Sequence, residues 1–257
     1  MNNNTFPSSF QAPNPIFDDG TIGNSIYITD IKGLEKEKDK IDPNYSSFFQ
    51  NIDSSLINLS NSTQNKELAE WIKSLIAKKK LLEVHNNGFF NQEKMQFSNL
   101  YIQYTDYKNY NDWQDHYPSY GINIELVNNN LSNLPNSLKE VYNVGAIWIF
   151  GIPCSGYFYH PRDIKNALDE EYLKEFISDD LYKQLNYPLK ELKVFYTDSG
   201  CWLMYDNEEN VYCGGVECGD FYKSSKKLTE VISIIFTKLL NNDEKLNIES
   251  FAPKNEA

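Results

Sequence analysis

The sequence is poor in the residues from which most active sites are built. Its 24 Lys and Arg include one arginine, Arg162, and the 257 residues hold 3 His and 4 Cys. With one arginine there is little scope for the bidentate clamp that holds phosphate and carboxylate ligands. The cysteines, Cys154, Cys201, Cys213 and Cys218, are too sparse for a disulfide scaffold, so reduced thiols in a cytosol are expected. No stretch approaches the roughly 20 apolar residues of a membrane helix. The apolar cluster Val231 to Phe236 is broken by Ser233 and flanked by charge. Met1 to Asn4 carries no lysine or arginine and leads into Thr5, Pro7, Ser8 and Ser9, unlike a secretory signal. Gly145, Gly151 and Gly156 lack the dinucleotide-binding spacing, and no glycine-lysine-serine run occurs, so no nucleotide cofactor is expected.

Positive charge is the minority sign: 36 Asp and Glu leave a net charge of −12, with a sequence pI near 4.8. Such a chain repels nucleic-acid phosphates and anionic lipid, which leaves basic or neutral proteins as the expected partners. Apolar residues are 40% and aromatics 14%, with 18 Tyr and 15 Phe, enough to build a packed core and to exclude wholesale disorder. The length suits one large domain or two small ones.

Residues 1–23, with Pro7, Pro13 and Pro15 among Asn and Ser, read as a flexible arm outside the core. A first α+β region is expected over 24–127. In it Ser25 to Ile31 alternates as a strand ending at Gly33, and Asn44 to Leu59 has helical spacing. Leu68, Trp71, Ile72, Leu75, Ile76 and Leu82 place one amphipathic helix over Gln64 to Val84. Lys78, Lys79 and Lys80 then form a solvated face near its C-terminus. Strands follow at Leu100 to Asp106 and Gly121 to Val127.

A second α+β domain is expected over 128–241. Leu131, Leu134, Pro135 and Leu138 lead into a helix, and Val144 to Ile152 reads as a buried strand with Tyr157 to Tyr159 returning. Asp163 to Leu185 has helical spacing. Leu192 to Tyr196, Cys201 to Tyr205 and Asn210 to Val216 read as an antiparallel meander through the turns Asp198-Ser199-Gly200 and Asp206-Asn207-Glu208-Glu209. Ser224 to Leu240 reads as a closing helix with Ser225 as N-cap, and 242–257 as a polar tail. The fold class is therefore α+β, a mainly antiparallel sheet with three or more packed helices.

Two constellations could carry chemistry. Cys154 with His160 and Asp163 has the residue types of a thiol nucleophile with its base, the basis for a hydrolase or transferase. Cys213 and Cys218, with Cys201 nearby in sequence, have ligand types for zinc, but one close pair falls short of the two that zinc sites show, so no metal is assigned. Carboxylates adjacent in a turn or on a helix surface, such as Glu208 and Glu209 or Asp179 and Asp180, are normally solvated and take no catalytic role.

Three stretches are similar to the SUKH superfamily, α+β domains that include many bacterial toxin-immunity proteins. Leu134-Pro135-Asn136-Ser137-Leu138-Lys139 resembles the family's leucine-proline lead into an early helix. Phe195 to Asp206 with Asn210 to Tyr212 resembles its aspartate-glycine turn, apolar strand, acidic turn and next strand, and Ser224 to Phe236 its serine-led closing helix. The family follows its first helix with an asparagine-glycine pair, whereas this chain runs through Asn143-Val144-Gly145 into an apolar strand, and nothing before Asn128 resembles it. The resemblance implies a non-catalytic, cytoplasmic binding protein that sequesters a basic toxin such as a nuclease. Candidate interface residues are Glu208, Glu209, Glu217 and Asp220 on the meander, with Tyr157 and Tyr159 as aromatic anchors. The polar arm and the Asn- and Tyr-rich composition leave a structural or virion-associated protein as a further alternative.

Overall fold

Strict alternation of side chains builds the sheet and gives it two differently covered faces. In strand β3, Lys79–Asn86, Leu82 and Val84 join the main core while Leu81 sits in a small aromatic cluster on the other face. The computed structural model describes residues 5–11, 24–41, 43–86, 97–107, 109–114, 120–123, 131–149, 156–159, 161, 164–170, 173–174, 189–198, 200–215, 220–241 and 247–254.

Strand β1 is Ser9–Gln11 and β2 is Asn24–Ile28, followed after β3 by β4 at Phe97–Thr105 and β5 at Tyr120–Asn123. Next come β6, Ala146–Ile149, β7, Gly156–Phe158, and β8, Lys193–Asp198. The series closes with β9, Cys201–Tyr205, β10, Asn210–Gly215, and β11, Asp220–Lys227. The eleven strands form one sheet in chain order. Each pairs antiparallel with the next. Register carries one row across most of it, from Leu81 through Gln103, Gly121, Trp148, Tyr157, Thr197, Trp202 and Gly214 to Phe221. Gly214 is glycine for a steric reason: a Cβ there would meet the Phe221 ring at 2.3 Å.

Helices cover the other face. They include α1, Ile31–Lys36, α2, Pro43–Gln50, α3, Ile52–Ser62, and α4, Lys66–Ile76. Further along are α6, Asn136–Val144, α7, Leu228–Leu240, and α8, Ile248–Phe251, whereas α5, Tyr110–Gln114, places Tyr110 in the aromatic cluster of the opposite face. The centre of this layer is α4 against α7, where Trp71 lies 5.0 Å from Phe236, which in turn stacks on Phe158 of β7 at 6.1 Å. Each fully buried side chain of this size contributes about 1.5–3 kcal/mol by leaving water.

Polar groups at the start of α4 tie the two halves of the chain together. Glu140 on α6 accepts the backbone N–H groups of Gln64 and Asn65 at 2.9 and 3.0 Å, placing a carboxylate at the positive end of α4. The Asn65 side chain caps Leu68 N–H at 2.9 Å and donates to Ser233 Oγ on α7 at 2.9 Å.

Several expectations need correction. The helix expected over Gln64 to Val84 ends at Ile76, and Leu82 instead pairs with Ile28 and Ile102 in the sheet. The lysines after α4 are not a solvated face: Lys80 Nζ donates to Ile76 O at 2.7 Å and pairs with Asp53 at 2.8 Å, while Lys78 pairs with Asp106 at 2.6 Å. Asn44 to Leu59 is split at Asn51, whose side chain donates back to Ser47 O at 2.9 Å. Gly33 lies inside α1 and does not mark a break.

The closing helix begins at Leu228, because the preceding residues 220–227 form β11. Ser225 is therefore not its cap; its N–H donates to Pro253 O at 2.9 Å, while Glu230 accepts Lys227 N–H at 3.0 Å at the helix start. The polar tail contains a packed element, with Ile248 3% and Phe251 0% exposed and Tyr222 OH donating to Ala252 O at 2.8 Å. At the other end, residues 9–11 of the expected flexible arm join the sheet edge. Of the segment Asp163 to Leu185, the 3₁₀ turn Ala167–Asp169 is described, and 175–185 lie outside the described residues.

Candidate binding surface

The acidic turn between β9 and β10 is shaped by one buried carboxylate. Asp206 accepts from Glu208 N–H at 2.9 Å, Asn210 N–H at 2.9 Å, Asn210 Nδ2 at 2.7 Å and Tyr212 OH at 3.0 Å. Burial pushes this carboxyl up, but the hydrogen bonds from Asn210, Tyr212 and Glu208 outweigh it and hold the group below the usual carboxylate range. Glu209 takes a left-handed φ of 60°, and its carbonyl accepts Leu228 N–H at 2.9 Å, which fastens the turn to the start of α7.

Glu208 and Glu209 are thus held on a rigid tip, the first exposed and the second half-buried. Lys227 Nζ reaches the backbone carbonyl of Glu208 at 3.0 Å. Neither carboxylate makes an ion pair among the described residues. Burial and the charge of Glu209 push the neighbouring Tyr205 hydroxyl up to about 12. Asp220 opens β11 opposite Gly215, and Glu217 lies outside the described residues.

The two tyrosines belong to a different place, the face of the sheet opposite the helices. Tyr157 and Tyr159 sit on one side of the chain with ring centroids 5.3 Å apart. Tyr159 is buried: its hydroxyl accepts from Trp202 Nε1 at 3.2 Å and donates to Glu170 at 3.4 Å, and Lys165 pairs with Glu170 at 2.9 Å. Burial, then the neighbouring Tyr157 and Glu170, raise the Tyr159 hydroxyl well above its ordinary value. Tyr159 therefore serves the second core, with Leu192, Val194 and Met204, and half-buried Tyr157 packs against the same cluster.

Cys154 and His160 lie outside the described residues, as do Asp163 and Cys218. Cys213 is a thiol buried in the middle of β10. Cys201, at the start of β9, is disulfide-bonded, contrary to the expectation of reduced thiols throughout. No cluster of three or more metal-ligating side chains occurs among the described residues. Likewise no helix among them is long and apolar enough to cross a membrane.

A third surface escaped the sequence reading. Phe6 and Phe10 pack over Tyr27 and Tyr110, above a buried group in which Tyr27 OH donates to Glu83 at 2.8 Å and Gln103 Nε2 also donates to Glu83. Phenylalanines spaced four apart in a proline-containing terminal segment were its only signal. No family model, curated protein or solved structure matches the chain.

Proposed function

We propose that the protein is a non-catalytic binding protein that sequesters a basic protein, in the manner that the resemblance to SUKH immunity proteins implies. The observation that carries this reading is the acidic tip: Glu208 and Glu209 stand on a turn locked by Asp206, with no ion pair to either carboxylate among the described residues. The net charge of −12 steers a cationic partner toward the molecule, and a preformed turn loses little entropy on contact. A nuclease toxin is the concrete partner class, since its nucleic-acid groove is basic and can be blocked without chemistry.

Affinity capture of the tagged protein from its native lysate at low and high salt tests the reading. The expected result is one stoichiometric basic partner weakened by salt, with Glu208→Lys/Glu209→Lys lowering its affinity about tenfold or more. Retention of nothing at either salt would overturn the proposal.

A further inference from the structure

Residues 5–11 are held by the kinds of contact that hold a bound peptide. Their backbone adds to the β2 edge, with Ser9 opposite Ile28, Phe10 opposite Tyr27 and Gln11 opposite Ile26. Beyond the ladder, Thr29 N–H donates to Ser8 O at 3.0 Å and Thr29 Oγ1 donates to Pro7 O at 2.8 Å. Two aromatic anchors fill the groove. Phe10 stacks on Tyr27 at 5.3 Å and meets Tyr110 edge-on at 4.8 Å, while Phe6 meets Tyr110 at 6.3 Å beneath the Lys79 ammonium, 5.5 Å from the ring centroid. The two Phe rings are 6.4 Å apart, about half the span of four residues in a straight strand, because the chain bends at Ser8 after Pro7.

The groove is shaped to receive a backbone. A Cβ on Gly33 would stand 1.9 Å from Ser8 O, so this α1 glycine admits a close approach that other residues would block. Around it Asp30 accepts from Ser8 Oγ at 2.9 Å, Glu37 accepts from Ser9 Oγ at 3.0 Å, and Lys36 Nζ donates to Ser9 Oγ at 2.9 Å. The walls come from β2, β3, α1 and α5. The same strands bury Ile28, Leu82 and Val84 on the opposite, helix-covered face, so the groove's framework is anchored in the main core.

Backbone pairing for affinity with side-chain pockets for specificity is the logic of strand addition. We propose that this groove is a docking site for a peptide carrying two phenylalanines around a proline bend, and that residues 5–11 are a tethered occupant that such a partner displaces. The strap is covalently continuous with β2, so a partner competes with an intramolecular ligand. A partner therefore meets an occupied groove and gains access only as the strap opens. This surface is separate from the acidic tip, and its test does not involve the tip.

The probe is a fluorescein-labelled peptide of the sequence of residues 5–11, titrated against the full chain with anisotropy as the readout. Phe6→Ala/Phe10→Ala in the full chain should bind it at least tenfold more tightly than wild type, and Gly33→Ala added to that background should remove the gain. A doubly substituted chain with unchanged far-UV circular dichroism that binds no more tightly than wild type would overturn the proposal. Hydrogen exchange on the wild-type chain decides the matter if the variant fails to fold. A tethered occupant predicts that the Thr29 amide, bonded to Ser8 O, exchanges at least tenfold faster than the β3–β4 ladder amides. Equal protection would mean that the strap is a fixed edge strand and the proposal is wrong.

Discussion

Asp206 and the cysteines show how much a single residue decides here. Replacing Asp206 by Ala leaves two backbone N–H groups, an amide and a phenol without their acceptor, and is expected to cost about 2–3 kcal/mol. Its carboxyl lies below the usual carboxylate range when folded, so the stabilisation is present above the unfolded-state pKa and is lost as pH falls through the folded one. Urea midpoints of wild type and Asp206→Ala measured from pH 7 down to pH 3 should therefore converge on the acidic side. A gap independent of pH would show that the ionised form is not what holds the turn. The thiols give an equally direct readout. With Cys201 in a disulfide, iodoacetamide in denaturant without reductant should label two of the four cysteines, and all four after reduction. Labelling of four without reductant would restore the cytosolic expectation of reduced thiols, since disulfides persist where the environment is oxidising.

At the scale of elements, legibility followed the range of the forces involved. The β8–β9–β10 meander could be read because its turns carry their own chemistry, Asp198 to Gly200 and Asp206 to Glu209, and the strands between them are short and apolar. Helix α4 was legible through Leu68, Trp71, Ile72 and Leu75, but its end was not. Leu82 continues the helical spacing and equally suits a strand, and the choice is made by Ile28 and Ile102, distant in sequence. The same applies to the acidic tip and the tyrosine pair: the turn residues are local, whereas the burial of Tyr159 depends on Trp202 and Glu170. Residues 224–227 read as the start of the closing helix because Ser225 resembles a cap; β11 wins through pairing with β10, and Lys227 with Glu230 opens α7. The backbone bond from Lys227, with the contact from Lys226, holds the Glu230 carboxyl below its ordinary value. Glu230→Ala is expected to lower stability by about 1 kcal/mol at neutral pH, the size of a lost helix cap. A matched thermal melt should show a drop of a few degrees, and an unchanged melt would place the start of the helix under the control of Glu209 and Leu228 instead.

At the scale of the whole molecule, the expected division at 127/128 meets a continuous sheet. Strand β5 pairs with β6 from Tyr120 opposite Ile149 to Asn123 opposite Ala146. Helix α4 from the first half packs on α7 from the second, and Glu140 caps α4 across the same boundary. Separating the halves would strip the β6 edge of its hydrogen-bonding partners and expose Trp71 and Phe236 to water. One cooperative unit is the expected behaviour. Native-state hydrogen exchange should therefore return the same opening free energy for the β3–β4 and β9–β10 ladders, and residues 128–257 expressed alone should aggregate through the bared β6 edge. Two distinct opening energies, together with a soluble second half giving native-like near-UV dichroism, would mean that the β5–β6 pairing joins two domains able to fold apart. In that case the acidic tip could be studied on the second half alone, and the strap groove on the first.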